Sequence, residues 1–229
     1  MENVAINLEH LRKKIHRAAL NCGRNPTTVK LMAVSKKFPI QQIKTALATE
    51  QRLFGENRVQ EAEEKILTLA NPDVEWHLIG PLQSNKAARA VELFDVIQTL
   101  DRSKIATKVN DFALKSGKVM KVFIEVNIGE EPQKHGVPPA QIPEMVRLVD
   151  NMQGLDLLGL MAIPPYHSDP EYSRPYFRQL AQTLTEINRW RDKPLEGLSM
   201  GMSHDYQVAI EEGSTLIRIG TAIFGTRVP

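Results

Sequence analysis

The sequence predicts an α/β fold, a single-domain (β/α)8 TIM barrel with an extra N-terminal helix. Eight short apolar segments alternate with amphipathic helical ones, the pattern of parallel βαβ units. The chain has 229 residues, inside the ~200–250 that an α/β barrel takes as one domain. No repeat, low-complexity tract or long Gly/Ser linker interrupts the alternation, so one domain is expected over residues 1–229. The rival is an open doubly wound sheet; strand count and length both favour the closed barrel.

The elements follow in order. A helix over roughly 2–22 carries Leu8, Leu11 and Ile15 on one face and is expected to cover the bottom of the barrel. The run Val29 to Ser35 reads as a buried first strand. Pro39 opens a helix with Ile40, Ile43, Ala46 and Leu47 on one stripe. Arg52 to Gly55 is a short second strand, followed by a helix with Val59, Ala62, Ile66 and Leu69. Glu75 to Ile79 is the third strand and Asn85 to Leu93 its helix. Asp95 to Thr99 and Ser103 to Leu114 form the fourth pair. Lys118 to Val126 is the fifth strand; a loop with Gly129, Pro132 and Gly136 leads to a helix bearing Ile142, Met145, Val146 and Val149. Leu157 to Ala162 is the sixth strand. A helix from about Glu171 to Trp190 puts Phe177, Leu180, Leu184 and Ile187 on one face. Leu198 to Met202, a helix over Tyr206 to Glu212, and Leu216 to Ile219 complete the set.

Composition narrows the function. Lys+Arg is 29 and Asp+Glu 27, a net charge of +2. That balance argues against a dedicated nucleic-acid binder, which concentrates positive charge, and the basic stretch Leu11 to Arg17 reads as a solvated helix face. No apolar run reaches the ~18–20 residues a membrane span needs, and the start, Met1-Glu2-Asn3-Val4-Ala5, has no secretory pattern. The lone cysteine, Cys22, allows no intramolecular disulfide and reads as a half-buried side chain near a helix end. Its reduced state suits the cytoplasm. The six histidines show no metal spacing, so no metal site is expected.

A barrel of this kind keeps its active site at the carboxyl ends of the strands. Those ends supply Ser35-Lys36-Lys37, Glu56-Asn57, Gly80, Gln83 to Lys86, Asn127, Lys134-His135-Gly136, Ser199 to Ser203 and Arg218 to Thr221. The set is rich in cationic, amide and hydroxyl groups and has no carboxylate pair for acid–base hydrolysis. Barrels often bind phosphate on the loops after strands seven and eight. Gly201-Met202-Ser203 and Gly220-Thr221 suit that, because glycine lets the backbone approach an anion; a tight turn explains the same residues. Lys36 ends an apolar strand. It is either the start of a wet loop or, in a pocket near other cations, an amine able to attack a carbonyl. His77 is expected to be a hydrogen-bonded structural side chain near the pocket. Met161, Met200 and Met202 are expected to line the barrel.

Six blocks in order carry a family resemblance: Ala33-Val34-Ser35-Lys36; Phe54-Gly55-Glu56-Asn57; His77 to Lys86; Gly159-Leu160-Met161; Leu198 to Ser203; and Arg218 to Arg227. Together they resemble the pyridoxal-phosphate homeostasis proteins, single-domain relatives of the amino-terminal barrel of alanine racemase. The resemblance spans nearly the whole chain. It implies pyridoxal 5′-phosphate (PLP) as cofactor, bound as a Schiff base on Lys36; Lys37 does not match the reactive position. It implies Arg218 at the pyridine nitrogen, Asn57 bordering the ring, and Ser203 and Thr221 with the backbone around Met202 and Gly220 on the phosphate. Lys37-Phe38 and His204 depart from the family pattern at the rim and touch none of these contacts.

The resemblance leaves two roles open. One is a cytoplasmic binding protein, expected as a monomer, that controls the level and delivery of PLP, with apo PLP-dependent enzymes as partners and no catalytic residues of its own. The other is a small amino-acid racemase. Two-base racemisation needs an acid/base on each face of the α-carbon. In alanine racemase the second base is a tyrosine from another domain, which is not expected here. Tyr166 and Tyr206 are the possible substitutes, and nothing in the sequence sets either opposite Lys36. A cofactor-free phosphosugar enzyme is a third reading; it gives Arg218 no role. The binding role is therefore the expectation.

Overall fold

A computed structural model describes residues 4–226. Its centre is a closed parallel barrel with strands in sequence order. The first is β1 (Lys30–Val34), then β2 (Leu53–Glu56), β3 (Glu75–Leu78) and β4 (Val96–Leu100). They continue as β5 (Met120–Val126), β6 (Leu155–Ala162), β7 (Gly197–Ser199) and β8 (Leu216–Ile219). Closure is made by β1 on β8, with Lys30 opposite Leu216 and Ala33 opposite Ile219. The open-sheet alternative is thereby excluded.

Around the barrel lie α2 (Ile40–Leu47), α3 (Val59–Leu69), α4 (Ala87–Leu93), α5 (Ser103–Lys115), α6 (Ile142–Asp150), α7 (Arg174–Asn188) and α8 (Tyr206–Glu211). A four-residue helix, α9 (Thr221–Phe224), follows β8. Parity along each strand divides the core. Val122, Ile124 and Val126 of β5 pack with the helices, whereas Phe123 joins Met32, Val34, Met161 and Leu216 inside the barrel. A bulge in β6 sets Val122 opposite Leu157 but Phe123 opposite Gly159, so Leu158 is the extra residue. The bulge explains why Leu158 and Met161, three apart, both belong to the interior cluster.

The amino-terminal helix, α1, runs Val4–Asn21; residues 2 and 3 of the expected span lie outside the described residues. Its stripe of Leu8, Leu11 and Ile15 is buried as expected. It does not, however, cover the barrel floor. It packs against α8, α9 and α2, and the Asn7 side-chain amide donates to the Ile223 carbonyl at 2.9 Å. The reason is geometric: α9 is too short to fill the outer ring after β8, and α1 takes that slot. The amino-terminal mouth is a cavity of about 480 Å³ lined by Lys30, Glu75, His77, Phe123 and Leu216.

Smaller differences have local causes. β7 ends at Ser199 rather than 202, because Gly201 turns out of the extended region at φ +93°. α7 begins at Arg174 after a 3₁₀ turn over Pro170–Ser173, and a 3₁₀ turn over Ser84–Lys86 precedes α4. Cys22 is half-buried beside the end of α1, its Sγ 3.3 Å from the Ala19 carbonyl. No helix among the described residues is long and apolar enough to cross a membrane.

Candidate functional site

The carboxyl ends of the strands surround a cavity of about 300 Å³. Lys36, Asn57, Gly80, Glu125, Asn127 and Ile163 contribute to its wall. Lys36 follows β1 by two residues and is half-buried, whereas its neighbour Lys37 is exposed. The turn between them is fixed from behind. Lys37 has φ +64°, a left-handed conformation unusual for a side-chain-bearing residue, and its N–H donates to Glu61 Oε1. Glu61 also accepts from Lys65 Nζ at 2.7 Å. Lys65 donates further to the Ser35 carbonyl at 2.8 Å and to Glu56 Oε1 at 2.7 Å. The Ser35 hydroxyl donates to the same Glu56 oxygen at 2.7 Å. This buried network clamps the backbone on which Lys36 stands. Burial pushes the Glu56 carboxyl up, and Lys65 opposes that push.

Asn57 is held by an equally close approach. A Cβ on Gly80 would lie 2.2 Å from the Asn57 carbonyl oxygen, so only glycine lets the turns after β2 and β3 touch. The Asn57 Oδ1 and Glu125 Oε2 atoms are buried without a hydrogen-bond partner. Burial and the nearby Asp101 push the Glu125 carboxyl up to about 7, and Arg218 opposes them.

Arg218 lies in β8 and is 4% exposed. Its guanidinium donates to Ser199 Oγ at 2.7 Å and to the Ala162 carbonyl at 2.9 Å. Burial pushes its pKa down to about 10, with Asp205 and Glu125 acting against the shift, so it stays charged at neutral pH. The loops after β7 and β8 meet: the Ala222 N–H donates to Ser203 Oγ at 3.3 Å. Gly220 sits over β1, where an added Cβ would lie 3.4 Å from the Val34 carbonyl. Ser203 is half-buried and Thr221 exposed at the start of α9.

The residues singled out from the sequence thus fall into adjoining groups. Lys36 and Asn57 line the cavity, Arg218 is buried in the strand beside β1, and Met202, Ser203, Gly220 and Thr221 lie on two loops that touch. The Met202 N–H is committed to Asp205 Oδ1 at 2.7 Å, while Asp205 Oδ2 accepts from Ser173 at 2.9 Å. That amide shapes its own loop. His77 is relocated. It is buried and hydrogen-bonded, as expected, but it lines the cavity at the opposite mouth. Met161 lines the barrel, Met200 packs in the core outside it, and Met202 is half-buried in its loop. Lys134 and His135 border the Lys36 cavity, and Gly136 turns at φ +116°. Sequence reasoning missed Glu125, Lys65 and Asp205. Glu125 had a signal: it shares the inward parity of Phe123 in β5.

Residues 6–228 match the family described as alanine racemase, N-terminal domain. A pyridoxal phosphate homeostasis protein of Vibrio alginolyticus is 43% identical over 231 residues, covering 99% of each chain. One of Aquifex aeolicus is 41% identical over 225 residues, 98% of this chain and 99% of that one. Among solved structures, PipY of Synechococcus elongatus with PLP bound has a TM-score of 0.86 at 37% identity, covering 97% of this chain and 100% of that one. Fold and match together define a barrel of the alanine racemase N-terminal class. Within that class, the chain belongs to the pyridoxal phosphate homeostasis protein family.

Proposed function

We propose that this barrel, as a single domain over residues 1–229, binds PLP as a Schiff base on Lys36 and serves the intracellular homeostasis and carriage of that cofactor. The observation that carries the reading is the position of Lys36 in a cavity at the carboxyl ends of the strands, whose Glu125 wall lies within the field of the buried Arg218 guanidinium. The relative solved with PLP bound supports the choice of cofactor. The donor set suits it: a primary amine for the aldehyde, hydroxyls and backbone at Ser203, Gly220 and Thr221 for the phosphate, and Arg218 for the ring nitrogen. Asn57 borders the ring. Of Met202, the half-buried side chain remains available, since its carbonyl accepts from the Asp205 and Tyr206 N–H groups. The cavity lies at the lower end of the ~300–1,000 Å³ usual for small-ligand sites.

When bound, PLP supplies an aldehyde that links to amines and a ring that can withdraw electrons. Arg218 sets the limit on the second property. A guanidinium keeps its own proton and disfavours another on the nitrogen it faces. The site therefore favours holding the cofactor over stabilising a carbanion. The racemase alternative needs a second base facing the first. Tyr166 is 83% exposed and Tyr206 is buried in the core, and neither lines the Lys36 cavity. We accordingly assign a binding protein of the cytoplasm, a monomer, that hands PLP to apo-enzymes.

The test is the visible spectrum of the purified protein before and after borohydride, with peptide mass mapping. A yellow band removed by borohydride, with the pyridoxyl mass on Lys36 and absent in Lys36→Ala, is the expected result. A protein that stays colourless with added PLP refutes the reading. An amino acid racemised at an enzyme-like rate, and only with Lys36 intact, restores the racemase alternative.

A further inference from the structure

The wall of the Lys36 cavity opposite in character to Lys36 is an acceptor surface. Glu125 and Asn57 both line the cavity, and Glu125 Oε2 and Asn57 Oδ1 are each buried without a hydrogen-bond partner. Buried polar atoms are rarely left so unless a ligand or an ion completes them. Two unsatisfied oxygens, one on a carboxyl group, call for a compact donor with several N–H groups, and a primary ammonium has three. Asp101, its side chain 5% exposed, adds negative potential.

We infer that Glu125 and Asn57 form a subsite for the ammonium group of an incoming primary amine, and that the Glu125 carboxylate takes its proton. The inference rests on the proposed Schiff base at Lys36. The amine docks as R–NH3⁺ and passes one proton to Glu125. Its freed lone pair attacks the carbon bonded to the Lys36 nitrogen. The new C–N bond forms, the bond to Lys36 breaks, and the electron pair returns to Lys36. One N–H proton of the amine moves to Lys36 in that exchange, and Glu125 then returns its proton, leaving Lys36 as an ammonium. Charge and protons balance, and no oxidant or reductant is needed. The substrate class is thus a primary alkylamine in its charged form, including the lysine side chain of an acceptor protein.

A carboxyl whose pKa is about 7 accepts and returns a proton with similar ease near neutrality. The groups around it are Asp101 at the end of β4, Lys134 and His135 on the loop after β5, Arg218 on β8, and Lys36 after β1. The rival role for Glu125 is a mere counter-charge to Arg218. Arg218 makes no ion pair with it and instead bonds neutral oxygens.

The experiment uses PLP-loaded wild type and Glu125→Gln, with the Lys36 adduct verified in each by borohydride mapping. Release is followed as loss of the visible band on mixing with methylamine, which arrives charged, or hydroxylamine, which is already neutral at pH 7. The expected result is release by methylamine slowed at least about tenfold in the variant, with hydroxylamine unchanged. Equal slowing of both amines, or of neither, overturns the inference while leaving the cofactor reading intact. Absence of a Lys36 adduct in wild type defeats the cofactor reading itself. Should the variant fail to fold or load, the wild-type pH profile decides. Methylamine release that rises to a plateau above about pH 7 supports the subsite, and release that keeps rising with the free-base fraction of methylamine, about tenfold per pH unit, refutes it.

Discussion

Lys65→Met tests whether the buried network behind Lys36 holds the fold as well as the turn. The side chain keeps its volume and loses its charge. Three hydrogen bonds go with it, to Ser35, Glu56 and Glu61. Glu56 has 0% exposure, and its second oxygen already lacks a partner. Breaking a buried ion pair from one side costs about 3–5 kcal/mol, because the remaining charge is stranded. The protein can escape part of that cost by protonating Glu56, whose pKa burial already raises. Below the unfolded-state value both states hold the proton and nothing is lost. As pH rises through the raised folded-state value, the unfolded chain releases the proton more readily and stability falls. Urea unfolding, followed by far-UV circular dichroism and by Trp76 fluorescence, is therefore expected to show the full loss at about pH 8 and a smaller one at about pH 5.5. Adding Glu56→Leu to the variant is expected to recover most of the loss, since an apolar pair of similar volume replaces a buried ion pair at little or no cost. A loss below about 1 kcal/mol at pH 8, the same loss at both pH values, or no recovery in the double variant refutes the reasoning.

Two further outcomes follow from individual contacts. Gly80→Ala sets a Cβ 2.2 Å from the Asn57 carbonyl oxygen and 2.8 Å from its Cα; backbone must move, so a loss of at least about 2 kcal/mol and weaker PLP uptake are expected, read by thermal unfolding and by the visible band. Glu125 has a carboxyl pushed up from 4.5 to about 7, a difference worth roughly 3 kcal/mol. Wild type is expected to lose up to that amount, relative to Glu125→Gln, as pH rises from about 4.5 through 7, and parallel stability curves would count against the burial of that carboxyl.

The fold was legible because a barrel strand is apolar on both faces at mid-height, which leaves short apolar runs between helices of a different period. Lys36, Asn57 and Arg218 could be singled out because a barrel puts its chemistry at the strand ends. The remainder required three dimensions. Lys65 on α3 reads as one more solvated lysine, and only the seating of that helix on β2 brings it to Glu56. Asp205 reads as a loop residue until its two oxygens are seen to hold Met202 and Ser173. The position of α1 failed for a different reason. Its amphipathic stripe says that one face is covered, and the vacancy that covers it arises from the shortness of α9, which is set by the closing of the barrel.

The barrel interior shows how Arg218 is kept oriented. Its guanidinium donates to Ser199 Oγ, and the Ser199 hydroxyl donates to Gln98 Oε1 at 2.6 Å. The Gln98 amide donates to His77 Nδ1 at 2.7 Å, and His77 Nε2 donates to Glu75 at 2.8 Å. Burial lowers the His77 pKa, so the ring is neutral, and a neutral ring that accepts at Nδ1 must carry its proton on Nε2. Every donor then points the same way, from Arg218 to a carboxylate at the opposite mouth. Such a chain polarises cooperatively and holds the guanidinium without placing a base against it. A carboxylate in direct contact with Arg218 would spread its charge and compete for its N–H groups; neutral oxygens do not neutralise it. On the proposed function, that arrangement suits a PLP holder: a positive charge of fixed orientation, proposed to face the ring nitrogen, hydrogen-bonded to neutral oxygens rather than to a carboxylate.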